Sequence, residues 1–240
     1  MDTLKEVREA LRRSASQEKA LILTRFFKTG KGEYGEGDRF LGVTVPEQRR
    51  VAKEFRERAD RDTVVGLLDS PIHEERLTAL LLLTHLFERG LKHGGADGWV
   101  KLYLSKTDRV NNWDLVDSSA YQILGRWLED RDRAVLYRLA DSKSLWENRI
   151  AVVATLHFIR RGDPTDILRL SETMLRHPHD LMHKATGWML REAWKRDASS
   201  VEAFLNEHAA GMPRTMLRYA IERMPETKRR HYMHRKSDRP

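Results

Sequence analysis

The side chains whose types and spacing could do chemistry cluster in three short segments. In Asn111-Asn112-Trp113-Asp114-Leu115-Val116-Asp117-Ser118-Ser119, Trp113 and Asp117 are four residues apart and share a face if the run is helical. An aromatic surface and a carboxylate would then project together, with Leu115 and Val116 turned into the packing and an Asn ahead of them as a candidate cap. A Trp packed between helices and an Asp paired with Arg149 would satisfy the same spacing. Farther along, Trp146 and Arg149 lie three apart, and Lys184, Trp188, Arg191 and Lys195 follow one another at spacings of four, three and four. Cations interleaved with aromatics suit nucleic acid, because the cations neutralise phosphates and the rings meet sugars or bases. Solvated, ion-paired helix faces give the same pattern.

Other chemistries find less support. His177, His179, His183, His231 and His234 form no HExxH pair and have no carboxylate spaced to complete a metal site. The sequence has no cysteine, which excludes disulfides, Cys-ligated zinc and a thiol nucleophile. No Gly-x-Ser-x-Gly elbow marks a serine nucleophile. Five of the 14 glycines fall between Gly30 and Gly42. The phosphate-loop pattern is absent there, and no strand precedes the run as a dinucleotide fold would require. The segment reads as a flexible connector that could still touch a ligand through Tyr34 or its backbone amides.

The elements that must position these groups are helices. Apolar residues recur at spacings of three and four almost throughout. The spacing predicts helices near 3–15, 17–28, 46–58, 61–68, 73–92, 97–105, 114–129, 132–141, 146–161, 165–177, 181–196, 199–209 and 213–224. A weak repeat aligns the helix starts at His73-Glu74-Glu75-Arg76-Leu77, Trp113 to Asp117, Trp146 to Ile150, and Leu181 to Ala185. Its anchors Arg76, Asp117, Arg149 and Lys184 are 41, 32 and 35 residues apart, which suits HEAT-like helix pairs. Stacked pairs would align those anchors on one surface as a phosphate-binding track with a single anion in it. The expectation is an all-α, curved α-solenoid of HEAT-like pairs forming one domain over residues 1–225. Residues 226–240 follow as a basic tail of six cations and two acids, either a disordered solubilising end or a phosphate-grasping arm.

Composition agrees with a polyanion partner. Charged residues make up 33% of the 240, and 44 Lys and Arg outnumber 36 Asp and Glu for a net charge of +8. The longest apolar run, Leu77 to Leu83, is interrupted by Thr78 and falls far short of the roughly 20 residues that span a bilayer. With no apolar leader after Met1, a soluble cytoplasmic protein is expected.

Three segments in this order resemble the AlkD family of bacterial DNA alkylation-repair glycosylases, over about Leu21 to Met224. Phe40-Leu41-Gly42-Val43-Thr44-Val45-Pro46-Glu47-Gln48-Arg49-Arg50 is similar to an early Phe-Leu-Gly…Pro-Glu…Arg segment. Trp113-Asp114-Leu115-Val116-Asp117 is similar to Trp-Asp-x-Val-Asp, and Lys184 to Glu192 to Lys-Ala-x-Gly-Trp-x-Leu-Arg-Glu. The resemblance implies an arc of HEAT-like repeats holding duplex DNA on a basic concave face. It implies hydrolysis of the N-glycosidic bond of cationic N3- and N7-alkylated purines, without drawing the base into a pocket. Two tryptophans and an aspartate form the family's active site and match Trp113, Trp188 and Asp117. A backbone-contacting arginine matches Arg149. Arg49, Arg76, Trp146, Lys184, Arg191 and Lys195 complete the expected DNA contacts. No metal or organic cofactor is implied, and a monomer is expected. Thr44-Val45 stands where the family pattern has Gln-Thr, and the glycine-rich stretch before Phe40 is longer. The competing reading is a HEAT-repeat module that holds DNA or a protein without catalysis, although such a module would be expected to lose Trp113, Asp117 or Trp188. An RNA-binding repeat would need a repeated base-reading code, which Arg, Asp, Arg, Lys does not supply.

Overall fold

The computed structural model describes residues 2–235. Among them the regular elements are helical, with one isolated bridge between Arg39 and Ile72. The chain gathers into two compact units, Met1–Ser119 and Ala120–Pro240.

The first unit contains α1 (Thr3–Arg13), α2 (Gln17–Phe26), α3 (Val45–Phe55), α4 (Arg61–Leu68), α5 (His73–His93), α6 (Ala96–Ser105) and α7 (Trp113–Asp117). Local rules set several starts. Asp2 accepts from the Lys5 amide and Asp60 from the Thr63 amide, each satisfying a donor the helix leaves open. The organising element is α5, which packs on α1, α3, α4, α6 and α7. Its Leu77, Leu80, Leu83 and Phe87 are buried at helical spacing, each side chain contributing about 1.5–3 kcal/mol of transfer free energy. By contrast α2 buries none of its residues fully and leaves Leu21, Ile22 and Phe26 exposed.

The second unit contains α8 (Ala134–Ala140), α9 (Leu145–Ala154), α10 (Leu156–Arg160), α11 (Thr165–Met174), α12 (Asp180–Trp194), α13 (Ala198–His208), α14 (Arg214–Ile221) and α15 (Glu226–His234). Here the centre is α12, in contact with α9, α10, α11, α13 and α14. Within each unit, sequence neighbours pack as pairs, among them α4 with α5, α8 with α9 and α11 with α12. This is the all-α, paired-helix architecture of an α-solenoid.

Three segments differ from the sequence reading. The expected helix 114–129 stops at Asp117 and resumes through a wide π turn at Tyr121–Gly125. Gly125 lies so close to Ala154 that a Cβ would meet its carbonyl oxygen at 2.3 Å, a contact no local pattern announces. The expected helix 146–161 is divided at Thr155, whose hydroxyl donates to the Val152 carbonyl at 2.6 Å and so competes with the backbone ladder. The basic tail begins as helix α15, packed on α14 with Tyr232 buried. Its last residues, 236–240, lie outside the described residues.

Candidate functional site

In the first unit, Trp113 and Asp117 open and close α7, the single turn expected to carry them. Asn112 caps it, its Oδ1 accepting from the Trp113 amide at 2.9 Å. Both side chains are half-buried, while Leu115 and Val116 point into the core. Behind the turn lies Tyr103, fully buried, with its hydroxyl 3.1 Å from Ser119 Oγ. Burial pushes its phenol above the usual range, the Asp117 charge adds to that, and the Ser119 hydrogen bond opposes it.

A buried charge cluster holds the base of α7. His73, the first residue of α5, places Nδ1 at 2.9 Å from Asp38 Oδ2 and Nε2 at 2.8 Å from Asp114 Oδ2. Ionised carboxylates only accept, so both nitrogens donate and the ring is an imidazolium. Burial alone would lower its pKa, but the charges and hydrogen bonds of Asp114 and Asp38 outweigh that and raise it to about 9. Burial would likewise raise Asp38, yet the His73 hydrogen bond and the Arg76 guanidinium keep its carboxyl below the ordinary range.

Arg76 requires a correction. It was expected on a solvent-facing phosphate track, but it is 1% exposed, with Nη2 donating to Asp38 Oδ1 at 2.6 Å and Nη1 to the Ser70 carbonyl at 3.0 Å. Its place at a helix start reproduced the repeat spacing without revealing which way the side chain turned. Arg49, on α3, is exposed.

The glycine-rich connector is folded. Glu33 and Glu36 accept from the amides of Gly30 and Gly32, both at 2.8 Å. Asp38 then turns inward to the cluster. Gly42 has φ +78°, and a Cβ there would lie 2.0 Å from the Ser16 carbonyl oxygen, so the segment crosses the start of α2 in backbone contact. The amides of Leu41, Gly42 and Val43 all donate to the buried carboxylate of Glu74. They are engaged by the protein itself and do not form the ligand-facing surface the sequence had left open.

Beside these residues is a cavity of about 550 Å³ whose walls include Ile22, Phe26, Phe27, Phe40, Val45 and Trp113. Phe27 stacks on Trp113 at 5.3 Å between centroids and on Phe40 at 5.2 Å. Both phenyl rings also lie against His73, at 4.7 and 4.9 Å.

In the second unit, Trp146 and Arg149 stand on α9, and Lys184, Trp188 and Arg191 on α12, with Lys195 as its C-cap. Trp146 and Trp188 are half-buried. Arg149 is 5% exposed and donates from Nη1 to the Leu181 carbonyl at 2.7 Å, tying α9 to the first turn of α12. This buried tie replaces the open phosphate contact that spacing suggested. Lys184 pairs with Asp180 at 2.8 Å, Lys195 with Glu192 at 2.8 Å, and Arg191 with Glu222 and Glu192. Gly187 makes Trp188's position possible: a Cβ there would lie 2.4 Å from the Met216 carbonyl oxygen, so α12 and α14 meet backbone to backbone.

Sequence reasoning missed His73, Asp38 and Phe27. Each belongs to a different segment, and no periodicity links them. Among the described residues no group of His, Cys, Asp or Glu is arranged to hold a metal ion, and no helix is long and apolar enough to cross a membrane.

The model of a family described as DNA alkylation repair enzyme matches residues 7–224, a span holding all three resembling segments. A solved structure from Enterococcus faecalis, described as a predicted DNA alkylation repair enzyme, is similar with a TM-score of 0.70 and 16% identity, over 89% of this chain and 98% of that one. At that identity the likeness is one of fold. No curated protein matches the chain in sequence.

Proposed function

Because the chain belongs to the DNA alkylation repair enzyme family, we propose that it is a glycosylase that hydrolyses the N-glycosidic bond of cationic N3- or N7-alkylated purines in duplex DNA. The observation that supports this most is the pairing of Trp113 and Asp117 on one turn of helix, both half-exposed and held from beneath by buried charge. N-alkylation gives the purine a positive charge and makes it a good leaving group. The C1′–N bond breaks with its electron pair going to the base, which departs neutral. Positive charge then develops on the deoxyribose. Asp117 stabilises that charge and orients or deprotonates the water that adds at C1′. Trp113 and Trp188 would each contribute a ring face to the electron-poor sugar, worth about 0.5–2 kcal/mol.

Arg49, Lys184, Arg191, Lys195 and Trp146 are the proposed contacts to the DNA backbone, and Arg149 supports them by fixing the start of α12. Arg76 has no part in this surface. The chemistry invokes no metal or organic cofactor, and the protein is taken to act as a monomer.

The deciding experiment is single-turnover release of N7-methylguanine from a duplex carrying one such lesion, beside a binding titration. Asp117→Asn should bind equally or more tightly, since DNA is itself an anion, and lose about 10²–10³ in rate, the scale for one well-placed electrostatic group. Full activity in this variant would refute the role of Asp117. No abasic product from the unaltered protein, with binding intact, would favour a non-catalytic HEAT-repeat module.

A further inference from the structure

We infer that His73 is a positioning residue for the proposed reaction: clamped between Asp38 and Asp114, it fixes the turn that carries Trp113 and Asp117. This rests on the reading of Trp113 and Asp117 as working groups. Three observations carry it.

The first is the length of α7. A helix of five residues has paid the cost of nucleation with almost no propagation to offset it, so its place is dictated by what grips it. Two grips reach its first turn. Asp114 accepts from His73 Nε2, and Asn112, which caps the turn, donates from Nδ2 to Asp38 Oδ2 at 3.3 Å. Both lead to the same imidazolium, directly or through Asp38.

The second is where that imidazolium sits. His73 begins α5, and the start of a helix disfavours a cation. A neutral residue would pack there at lower electrostatic cost. Two carboxylates, one from the glycine-rich connector and one from α7, are needed to hold the charge. Glu74 and Arg76 are its charged neighbours along α5, and Lys19 of α2 lines the same cavity. Arg109 acts on Arg76 and donates to the carbonyls of Leu68, Asp69 and Ser70.

The third is the rings. Phe27 lies against both His73 and Trp113, so the orientation of the imidazole is coupled to that of the indole by packing as well as by hydrogen bonds.

The clamp has a weaker arm. Asp38 keeps Arg76 and Asn112 as partners if His73 loses its second proton. Among the described residues, the further hydrogen bond to the Asp114 carboxylate is from the amide of its neighbour Leu115, at 2.9 Å. Deprotonation leaves the ring a single N–H for two carboxylates, so one arm of the clamp opens and the hold on the turn carrying Trp113 and Asp117 loosens.

Two readouts test this. The first is single-turnover excision of N7-methylguanine across pH 7 to 10.5, beside duplex affinity. The second uses no substrate: ¹⁹F resonances of protein labelled with 5-fluorotryptophan, the Trp113 signal being assigned with Trp113→Phe. In the unaltered protein the Trp113 resonance and the alkaline limb of excision should share a midpoint near 9. Asp38→Asn, which removes one carboxylate, should move both midpoints toward neutral pH. His73→Gln should abolish the Trp113 titration and slow excision by about 10–100-fold, the scale of a catalytic group displaced by a fraction of an ångström to one ångström, with affinity changed less than about threefold. Midpoints unmoved in Asp38→Asn, or a Trp113 resonance that does not titrate in the unaltered protein, would overturn the inference. If His73→Gln fails to fold, the titration of the unaltered protein decides. If the unaltered protein releases no base yet Trp113 titrates as described, the glycosylase reading falls and the positioning role stands.

Discussion

The two units place their tryptophans by opposite means. Trp113 rides on a turn too short to hold itself, and buried charge from two other segments fixes it. Trp188 rides in the middle of the 15-residue helix α12, and what fixes it is shape, the absence of a side chain at Gly187 where α12 meets α14. Around Trp188 the ions are at the rim, pairing Lys184, Arg191 and Lys195 with neighbouring acids. A short element needs specific tethers, and a long one needs only room. The turn α7 should accordingly be sensitive to charge, and the seat of Trp188 on α12 to volume.

The largest expected effect tests the charge side of that contrast. Asp38→Ala strips His73 and Arg76 of a shared partner in a buried site and should destabilise the protein by about 3–5 kcal/mol, the cost of leaving buried charge unpaired. Urea denaturation measures it, and a loss below about 1 kcal/mol would mean that packing alone holds α7. Next in size is Gly187→Ala, which forces a Cβ against the Met216 carbonyl oxygen and should cost about 1–3 kcal/mol. Gly98→Ala in α6 meets nothing within 4 Å and should be neutral or stabilising by up to about 1 kcal/mol. If the two glycines behave alike, shape is not what places α12.

Titration should separate the units by sign. His73 is raised from 6.5 to about 9. Its contribution to stability is therefore complete below about pH 6.5 and disappears as pH rises through 9. In the second unit His157 and His177 are lowered, burial being the main cause in each. The unfolded chain takes up those protons first, so their effect is loss of stability as pH falls below 6.5. Histidine NMR titrations beside denaturation curves at pH 5.5, 7.5 and 10 check both directions, and a first unit that weakens in acid instead would break the contrast. The smallest effect belongs to the rim. Lys184→Ala and Lys195→Ala should each change stability by less than about 1 kcal/mol. Each should also reduce the slope of log affinity against log salt by about 1 if the lysine meets a phosphate. An unchanged slope would remove that lysine from the DNA surface.

What the sequence disclosed was what is local. Trp113 and Asp117 share a turn because four residues of separation settle the matter, and the stripe from Lys184 to Lys195 lies on one helix for the same reason. Most helices follow from apolar spacing and caps such as Ser144, which accepts from the Glu147 amide. The clamp on His73 was not legible, because its partners lie 35 and 41 residues away and depend on how the connector folds back. Arg76 misled for a related reason. Repeat spacing gives a residue's level along the stack but not whether an acid from a loop waits behind it. The break after Asp117 and the helix α15 escaped as well, since both depend on tertiary contacts at Gly125 and Tyr232.

Glu74 occupies a position with a meaning of its own. Three successive amides, from Leu41 to Val43, converge on its carboxylate, and converging amides of this kind are what proteins elsewhere use to receive a phosphate or a free carboxylate. The chain has filled its own anion receptor with a side chain. Shortening that side chain, as in Glu74→Ala, would uncork the receptor and leave three donors facing a small void. A formate or acetate ion added to the solvent could fill it, restoring by chemical rescue what the glutamate had supplied.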